Sequence, residues 1–210
     1  MHSQNEVTQA TMTPAKALEL LTEGNKRFRN NLKANRNLLA QVADTGGGQW
    51  PFAAVLGCID SRVSSELVFD QGVGDIFSIR IAGNFVNEDI LGSLEFSCSV
   101  AGAKLIVVLG HKSCGAIKGA CDGVELGHLT QMLAKLHPAV NSVTEPVDAS
   151  QRTAQNADFV QAVAEQNVRL TMARILEESE VLRKLRDAGD VDVVGGMYDV
   201  ESGAVEFLEG

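Results

Sequence analysis

The chain has 210 residues, of which 45% are hydrophobic, and its formal net charge is −9. This size suits one domain around one substantial core, and the acidic balance argues against a nucleic-acid surface, which needs clustered lysine and arginine. No apolar run approaches bilayer length, and the polar start lacks the features of a signal peptide. We therefore expect a single domain over 1–210 with a flexible N-terminus at 1–13, in the cytoplasm, with no nucleic-acid or membrane partner.

The first predicted element is a helix that begins at Thr13 and Pro14, with Thr as N-cap and Pro in the first helical position. Apolar residues then recur at helical spacing to about Asn30. Because this helix precedes the first strand, it can lie outside the core as an arm on a second copy. It can equally pack on its own domain, and the pattern leaves both alternatives open.

Apolar runs and helical patterns alternate along the rest of the chain. The runs at 52–56, 76–81, 104–109 and 191–199 predict four strands, and a tight turn then leads to 204–208. Helical patterns occupy 63–69, 90–100, 115–119, 125–136 and 156–185, the last with room for one break, whereas 44–48 and 144–153 are predicted loops. The alternation predicts an α/β fold, with a mostly parallel central sheet of four strands, an antiparallel C-terminal edge strand and flanking helices.

Residues that can bind a metal follow two of these strands. Cys58 and Asp60 come after the first strand, and His111 and Cys114 come after the third. The carboxyl ends of neighbouring parallel strands converge on one crevice, so these side chains can meet there. Cysteine, histidine and carboxylate are the zinc ligands. A closed site of all four residues would be structural, whereas three ligands with an open fourth position would suit catalysis.

Arg62 bears on this choice because it lies two residues beyond Asp60. A guanidinium can hold a carboxylate through two parallel hydrogen bonds and so keep it off a metal ion. The spacing therefore favours three permanent ligands and a displaceable aspartate.

The two polar segments, Cys58–Arg62 and Gly110–Gly115, resemble the signature blocks of the β-class carbonic anhydrases. The similarity runs from about residue 14 to the end of the chain, and it includes the further blocks Arg80–Asn84, Gly92–Phe96, Gly115–Gly119 and Tyr198–Leu208. The resemblance implies an α/β fold and a homodimer, often assembled further into a dimer of dimers. It also implies that 14–35 is an N-terminal helical dimerisation arm.

The resemblance implies one zinc ion per chain, held by Cys58, His111 and Cys114. Zinc-bound hydroxide would then convert carbon dioxide reversibly to bicarbonate and a proton, in a zinc-dependent lyase reaction. Asp60 and Arg62 would be catalytic, with Asp60 accepting a hydrogen bond from the hydroxide and aiming it at the substrate. Asp60 would become a fourth ligand only in a closed state.

The resemblance also implies a small apolar substrate pocket. Its residues would be Gln49, Phe77, Ala82, Phe96 and the backbone N–H of Gly115. Phe96 departs from the tyrosine usual in plant-type members, and periodicity alone makes Phe77 and Phe96 ordinary core residues. Val55 stands where a bicarbonate-regulated subclass carries tryptophan, so the resemblance favours the plant-type subclass, which stays open.

Two rival functions remain at this point. A hydrolase of carbonyl sulfide or carbon disulfide would use the same fold and the same zinc chemistry with different pocket access. A non-catalytic zinc-binding protein is the second rival. The Asp60 and Arg62 pair argues against it, because a structural metal site has no use for a displaceable carboxylate.

Overall fold

A computed structural model describes residues 3–208 of the chain, and a five-stranded sheet lies at its centre. The strands are β1 (Ala53–Gly57), β2 (Ile76–Arg80), β3 (Leu105–His111), β4 (Asp192–Tyr198) and β5 (Val205–Phe207), in the spatial order β2-β1-β3-β4-β5. Strands β1 to β4 are parallel, and β5 pairs with β4 antiparallel. The predicted sheet, with its antiparallel C-terminal edge strand, is confirmed.

Ten α-helices accompany the sheet within the described residues. They are α1 (Glu6–Ala10), α2 (Pro14–Arg29), α3 (Leu38–Thr45), α4 (Ser65–Val68), α5 (Glu88–Glu95), α6 (Gly115–Cys121), α7 (Gly127–Ala134), α8 (His137–Ser142), α9 (Ala157–Glu178) and α10 (Glu180–Asp187). A π-helical turn, Phe96–Val100, continues α5, and a 3-10 turn spans Ala149–Gln151. No helix in this part of the chain has the length and apolar content needed to cross a bilayer.

The central strands are apolar along their whole length because both faces of the sheet are covered. Every residue of β1 and β3 is buried, whereas burial alternates along the edge strand β2. One apolar cluster lies between the sheet and α2, and a second lies between the sheet and helices that include α9. The register pairs Gly57 with Leu109, so the chain leaves β1 and β3 side by side at the carboxyl edge.

Three predicted segments differ in detail from the structure. The predicted loop at 44–48 is wrong at Asp44 and Thr45, which end α3. The helical pattern at 125–136 covers α7 alone, and α8 follows it with a proline in its first turn. The pattern at 156–185 breaks once, at Ser179, whose hydroxyl accepts a hydrogen bond of 3.1 Å from the Leu182 N–H and so caps α10.

Helix α2 packs on the sheet of its own chain. Ala17 and Leu21 are fully buried there. The Asn25 side chain donates hydrogen bonds to the carbonyl oxygens of Val68 (3.0 Å) and Gly203 (2.9 Å). Packing on its own domain, one of the two alternatives left open above, is therefore present in a single chain. The role of 14–35 as a dimerisation arm stays a prediction.

The segment 1–13, expected to be flexible, contains α1. The Gln9 side chain anchors this helix by donating to the carbonyl oxygens of Pro51 (2.9 Å) and Ala101 (2.8 Å). Residues 1 and 2 lie outside the described part of the chain. Flexibility of 1–13 is thus untested, although Gln9 gives the segment a defined place on the domain.

Candidate metal centre

Three buried side chains meet where β1 and β3 end. Cys58 directly follows β1, His111 is the last residue of β3, and Cys114 is the N-cap residue of α6. Ser113 has a φ of +56°, a left-handed conformation that reverses the chain between His111 and Cys114. The two Sγ atoms are 4.0 Å apart, and all three donor atoms lie within 4.8 Å of one another.

The donor atoms fit a zinc ion. Two thiolates on tetrahedral zinc, with Zn–S bonds of about 2.3 Å, are separated by about 3.8 Å, close to the distance between these sulfurs. His111 Nδ1 lies 2.9 Å from the carbonyl oxygen of Lys112 and must donate to it, which leaves the lone pair on Nε2. Nε2 is buried without a hydrogen-bond partner among the described residues, as expected of a nitrogen that binds a metal.

The two thiols titrate as a pair. The two sulfurs contact each other, and this contact, together with the Gly83 N–H, lowers the pKa of Cys58 despite burial. The same contact with Cys58, together with burial, raises the pKa of Cys114. Two sulfurs this close together favour a bound cation, because a metal ion binds thiolates in place of their protons.

Asp60 lies beside this centre but faces Arg62. The Arg62 side chain donates to both carboxylate oxygens, at 2.9 Å from Nε and 2.8 Å from Nη2, and its backbone N–H adds a bond of 3.0 Å. These bonds from Arg62 outweigh desolvation and hold the pKa of Asp60 far below its usual range. The nearer carboxylate oxygen remains 4.0 Å from His111 Nε2, so an ionised acceptor stands beside the metal position without occupying it.

A cavity of about 310 Å³ adjoins Cys58 and Asp60. Two predicted pocket residues, Ala82 and Gly115, line it. Its far wall consists of Leu129, Met132 and Leu133 from α7. Sequence analysis missed these three residues, because the helical periodicity of α7 is visible but nothing in it links the helix to the metal ligands. The cavity is largely apolar, which suits a small uncharged molecule.

The remaining predicted pocket residues lie elsewhere in the chain. Gln49 is exposed ahead of β1. Phe77 and Phe96 form an edge-to-face pair with ring centroids 6.3 Å apart, and both line a separate cavity of about 480 Å³ beside the edge strand β2. A single chain therefore does not bring Gln49, Phe77 or Phe96 to the cavity at Cys58.

Comparison with known proteins agrees with this geometry. Residues 53–205 match the family model described as carbonic anhydrase. The carbonic anhydrase of Mycolicibacterium smegmatis is 34% identical over 197 residues, covering 92% of this chain and 93% of that protein. Carbonic anhydrase 2 of Mycobacterium tuberculosis strain H37Rv is 33% identical over 191 residues, covering 90% of both chains.

Solved structures share the fold. The β-carbonic anhydrase CcaA superposes with a TM-score of 0.72 at 25% identity, covering 92% of this chain and 95% of that one. The β-carbonic anhydrase CafA of Aspergillus fumigatus gives a TM-score of 0.71 at 25% identity, covering 98% of this chain and 91% of that one. With its Cys-His-Cys centre at the carboxyl edge of a sheet of this topology, the chain belongs to the carbonic anhydrase family, in its β class.

Proposed function

We propose that this protein interconverts carbon dioxide and bicarbonate at a zinc ion held by Cys58, His111 and Cys114. The observation that carries the proposal is the buried, unpaired His111 Nε2 beside two sulfurs 4.0 Å apart. This donor set leaves one tetrahedral position open, as catalytic zinc sites do. The names of the mycobacterial relatives support the same reaction.

Asp60 and the cavity residues have separate roles beside the metal ion. A bound zinc ion would lower the pKa of a water molecule to about 7, making hydroxide available at neutral pH. Asp60 stays ionised because Arg62 lowers its pKa, so its carboxylate can only accept a hydrogen bond. It thereby orients the attacking oxygen toward the cavity, while Leu129 and Met132 provide an apolar surface for carbon dioxide and exclude bulk water.

The substrate contacts in this proposal come from two sources. Ala82 lies on the wall of the cavity, and the Gly115 N–H, in the first turn of α6, has no intrahelical acceptor and can donate to a substrate oxygen. Gln49, Phe77 and Phe96 lie away from this chain's cavity, so a role in substrate binding requires that a second copy supplies them.

We propose a homo-oligomer, a dimer or a dimer of dimers, as the working unit. Large apolar side chains at Leu38, Leu39, Val42 and Phe96 are exposed in the single chain, and a second copy would cover such surfaces. We also place the protein in the cytoplasm, because none of its cysteines, Cys58, Cys98, Cys114 and Cys121, forms a disulfide within the described residues.

The proposed site is of the open, plant-type kind. Val55, a fully buried residue of β1, leaves no tryptophan at the position that the bicarbonate-regulated subclass uses. The two-point hold of Arg62 on Asp60 supports the same assignment, because it keeps the carboxylate away from the metal position.

Stopped-flow hydration of carbon dioxide by the purified, zinc-loaded protein tests the proposal. We expect rapid hydration that Cys58→Ala abolishes, together with its zinc content. Cys98→Ala is the matched control, because Cys98 is also a buried thiol but lies outside the centre. Carbonyl sulfide and carbon disulfide are assayed in parallel, and negligible carbon dioxide hydration beside fast hydrolysis of either would overturn the proposal.

A further inference from the structure

A tight turn at 81–84 presents a backbone donor to the metal centre. The Gly83 N–H lies 3.4 Å from Cys58 Sγ. The Asn84 N–H donates to the Ile81 carbonyl at 2.9 Å, and Gly83 has a φ of +82°, both typical of a type II turn. A Cβ at Gly83 would also lie 2.8 Å from a methyl carbon of Leu136, so this position needs glycine for its conformation and for space.

The direction of this donor depends on the turn type. Types I and II differ by a flip of the peptide between the two central residues, and that peptide carries the Gly83 N–H. The N–H therefore reaches Cys58 only while the turn keeps its present form. Whatever holds the turn also controls the hydrogen bond to the sulfur.

Asn167 of α9 holds the turn from the other side. Its side-chain amide is buried and donates a hydrogen bond of 2.8 Å to the Gly83 carbonyl oxygen. An amide in a core is unfavourable unless it is hydrogen-bonded, and an apolar side chain would fill the same space without that requirement. The bond goes to the same turn whose Gly83 N–H contacts the metal ligand Cys58.

Helix α9 is itself fixed closely against the sheet. Gly110 in β3 and Gly195 in β4 face it, and a Cβ at either position would lie 2.6 Å or 2.7 Å, respectively, from the side chain of Val168. Val168 is the neighbour of Asn167 in the sequence and is fully buried. Val168 occupies the space that these two glycines leave open, and this close packing presents Asn167 to Gly83 in a defined position.

We propose that Asn167 is a positioning residue for the metal centre. By fixing the turn, it keeps the Gly83 N–H on the Cys58 sulfur, which limits the electron density that this thiolate donates to a bound metal ion. The inference rests on the proposed metal site but not on which substrate the enzyme uses. In this proposal Asn167 and Gly83 do not contact the substrate, and they act on the metal ion only through the Cys58 sulfur.

Cobalt(II) substitution provides a test with a spectroscopic readout. In Asn167→Leu, the sulfur-to-cobalt charge-transfer band should move to longer wavelength, because a thiolate without its N–H bond gives up an electron more easily. Zinc affinity, measured by competition with a chelator, should fall by about tenfold, because a turn that is no longer fixed leaves Cys58 less well oriented toward the metal and this loss outweighs the stronger donation by its sulfur. Thr171→Val, a buried polar-to-apolar change one turn along α9, should leave both unchanged.

A folded Asn167→Leu protein with the wild-type band and wild-type zinc affinity would overturn the proposal. A wild-type protein that shows no thiolate charge-transfer band with cobalt would instead refute the metal site, and with it the proposed function. If the variant does not fold, NMR spectra of the wild-type protein loaded with cadmium-113 test the hydrogen bond from Gly83 to Cys58 directly. The Gly83 amide proton should then show scalar coupling to the metal through Cys58, and bound cadmium without that coupling would contradict the proposal.

Discussion

Asp60 and Asp70 lie ten residues apart in the sequence and both pair with arginine, but the two groups differ in burial and in the distance along the chain to their partners. Asp60 pairs with Arg62, its neighbour two residues on, whose side chain is 50% exposed. Asp70 pairs with Arg27 and Arg36, which are distant in sequence, and its side chain and that of Arg36 are 5% and 6% exposed. Asp60 borders the cavity at the metal position, whereas Asp70 joins the segment after α2 to the end of α4.

The comparison shows that burial, more than pairing itself, decides what such a group can do. The Arg62 side chain is half exposed, so water can solvate its guanidinium when the pair opens. Burial raises the pKa of Asp70, but hydrogen bonds from Arg27, the Ala34 N–H and Arg36 outweigh it and hold the pKa below its usual value. Removing the Asp70 carboxylate would leave the buried Arg36 guanidinium without its counter-charge. The difference in burial supports the proposed catalytic role of Asp60 and points to a stabilising role for Asp70.

The largest expected effect is the loss of activity in Asp60→Asn. Because the amide can donate as well as accept, it no longer fixes the orientation of the attacking oxygen, and we expect carbon dioxide hydration to fall by about 10²- to 10⁴-fold. Zinc content and resistance to urea should stay near wild type, because Arg62 is half exposed and its charge remains solvated without the carboxylate. Stopped-flow assays and urea unfolding measure these quantities, and an unchanged rate would show that Asp60 has no catalytic role.

Asp70→Asn should produce the opposite result. Removing the carboxylate leaves the Arg36 guanidinium buried without its counter-charge, and we expect the free energy of unfolding to fall by about 3–5 kcal/mol. The hydration rate per folded, zinc-loaded molecule should remain that of wild type. Urea titration followed by activity at matched folded concentration checks both. A rate loss like that of Asp60→Asn would erase the distinction between the two groups.

A smaller effect is expected from Arg62→Lys. Lysine replaces a two-point hold with a point charge, so Asp60 gains freedom to turn toward the metal position. We expect activity to fall by about tenfold with little change in stability. Arg36→Lys is the matched control and should lower stability while leaving the rate per folded molecule intact. Equal stability losses in both variants would contradict the assignment.

The smallest expected effect is on the pH dependence of stability. The pKa of Asp70 is lower in the folded chain than in the unfolded chain, so the ionised carboxylate stabilises the fold. This contribution to the free energy of unfolding is fully present above the unfolded pKa of about 3.9, and it is lost as pH falls through the folded pKa. The gap in unfolding free energy between wild type and Asp70→Asn should therefore be constant near neutral pH and narrow in acid. A gap that widens in acid would mean that the sign of the shift is wrong.

The sheet and the three candidate zinc ligands could be predicted from sequence because local signals and global geometry coincide there. Apolar runs define β1 and β3, and Cys58 and His111 stand at the ends of those runs. Parallel pairing then forces the ends together, whatever the length of chain between them. The two-residue spacing of Asp60 and Arg62 is equally local, and their pairing follows from it.

Other features depend on partners that sequence patterns do not reveal. Helix α3 presents Leu39 to solvent at 82% exposure and buries Gln41 at 1%, because the Gln41 side chain accepts a hydrogen bond from the Val73 N–H. Asn167 is one polar residue in a long helix, and its partner Gly83 is 84 positions away. Likewise, a motif match suggests Phe96 as a pocket residue, whereas in the single chain it lies on a separate cavity beside β2.

The most direct test of the central claim is a crystal structure of the zinc-loaded protein at neutral to mildly alkaline pH. The account predicts zinc on Cys58, His111 and Cys114 only, with Asp60 still held by both nitrogens of Arg62. A structure in which the Asp60 carboxylate has left Arg62 and binds zinc as the fourth ligand would contradict it.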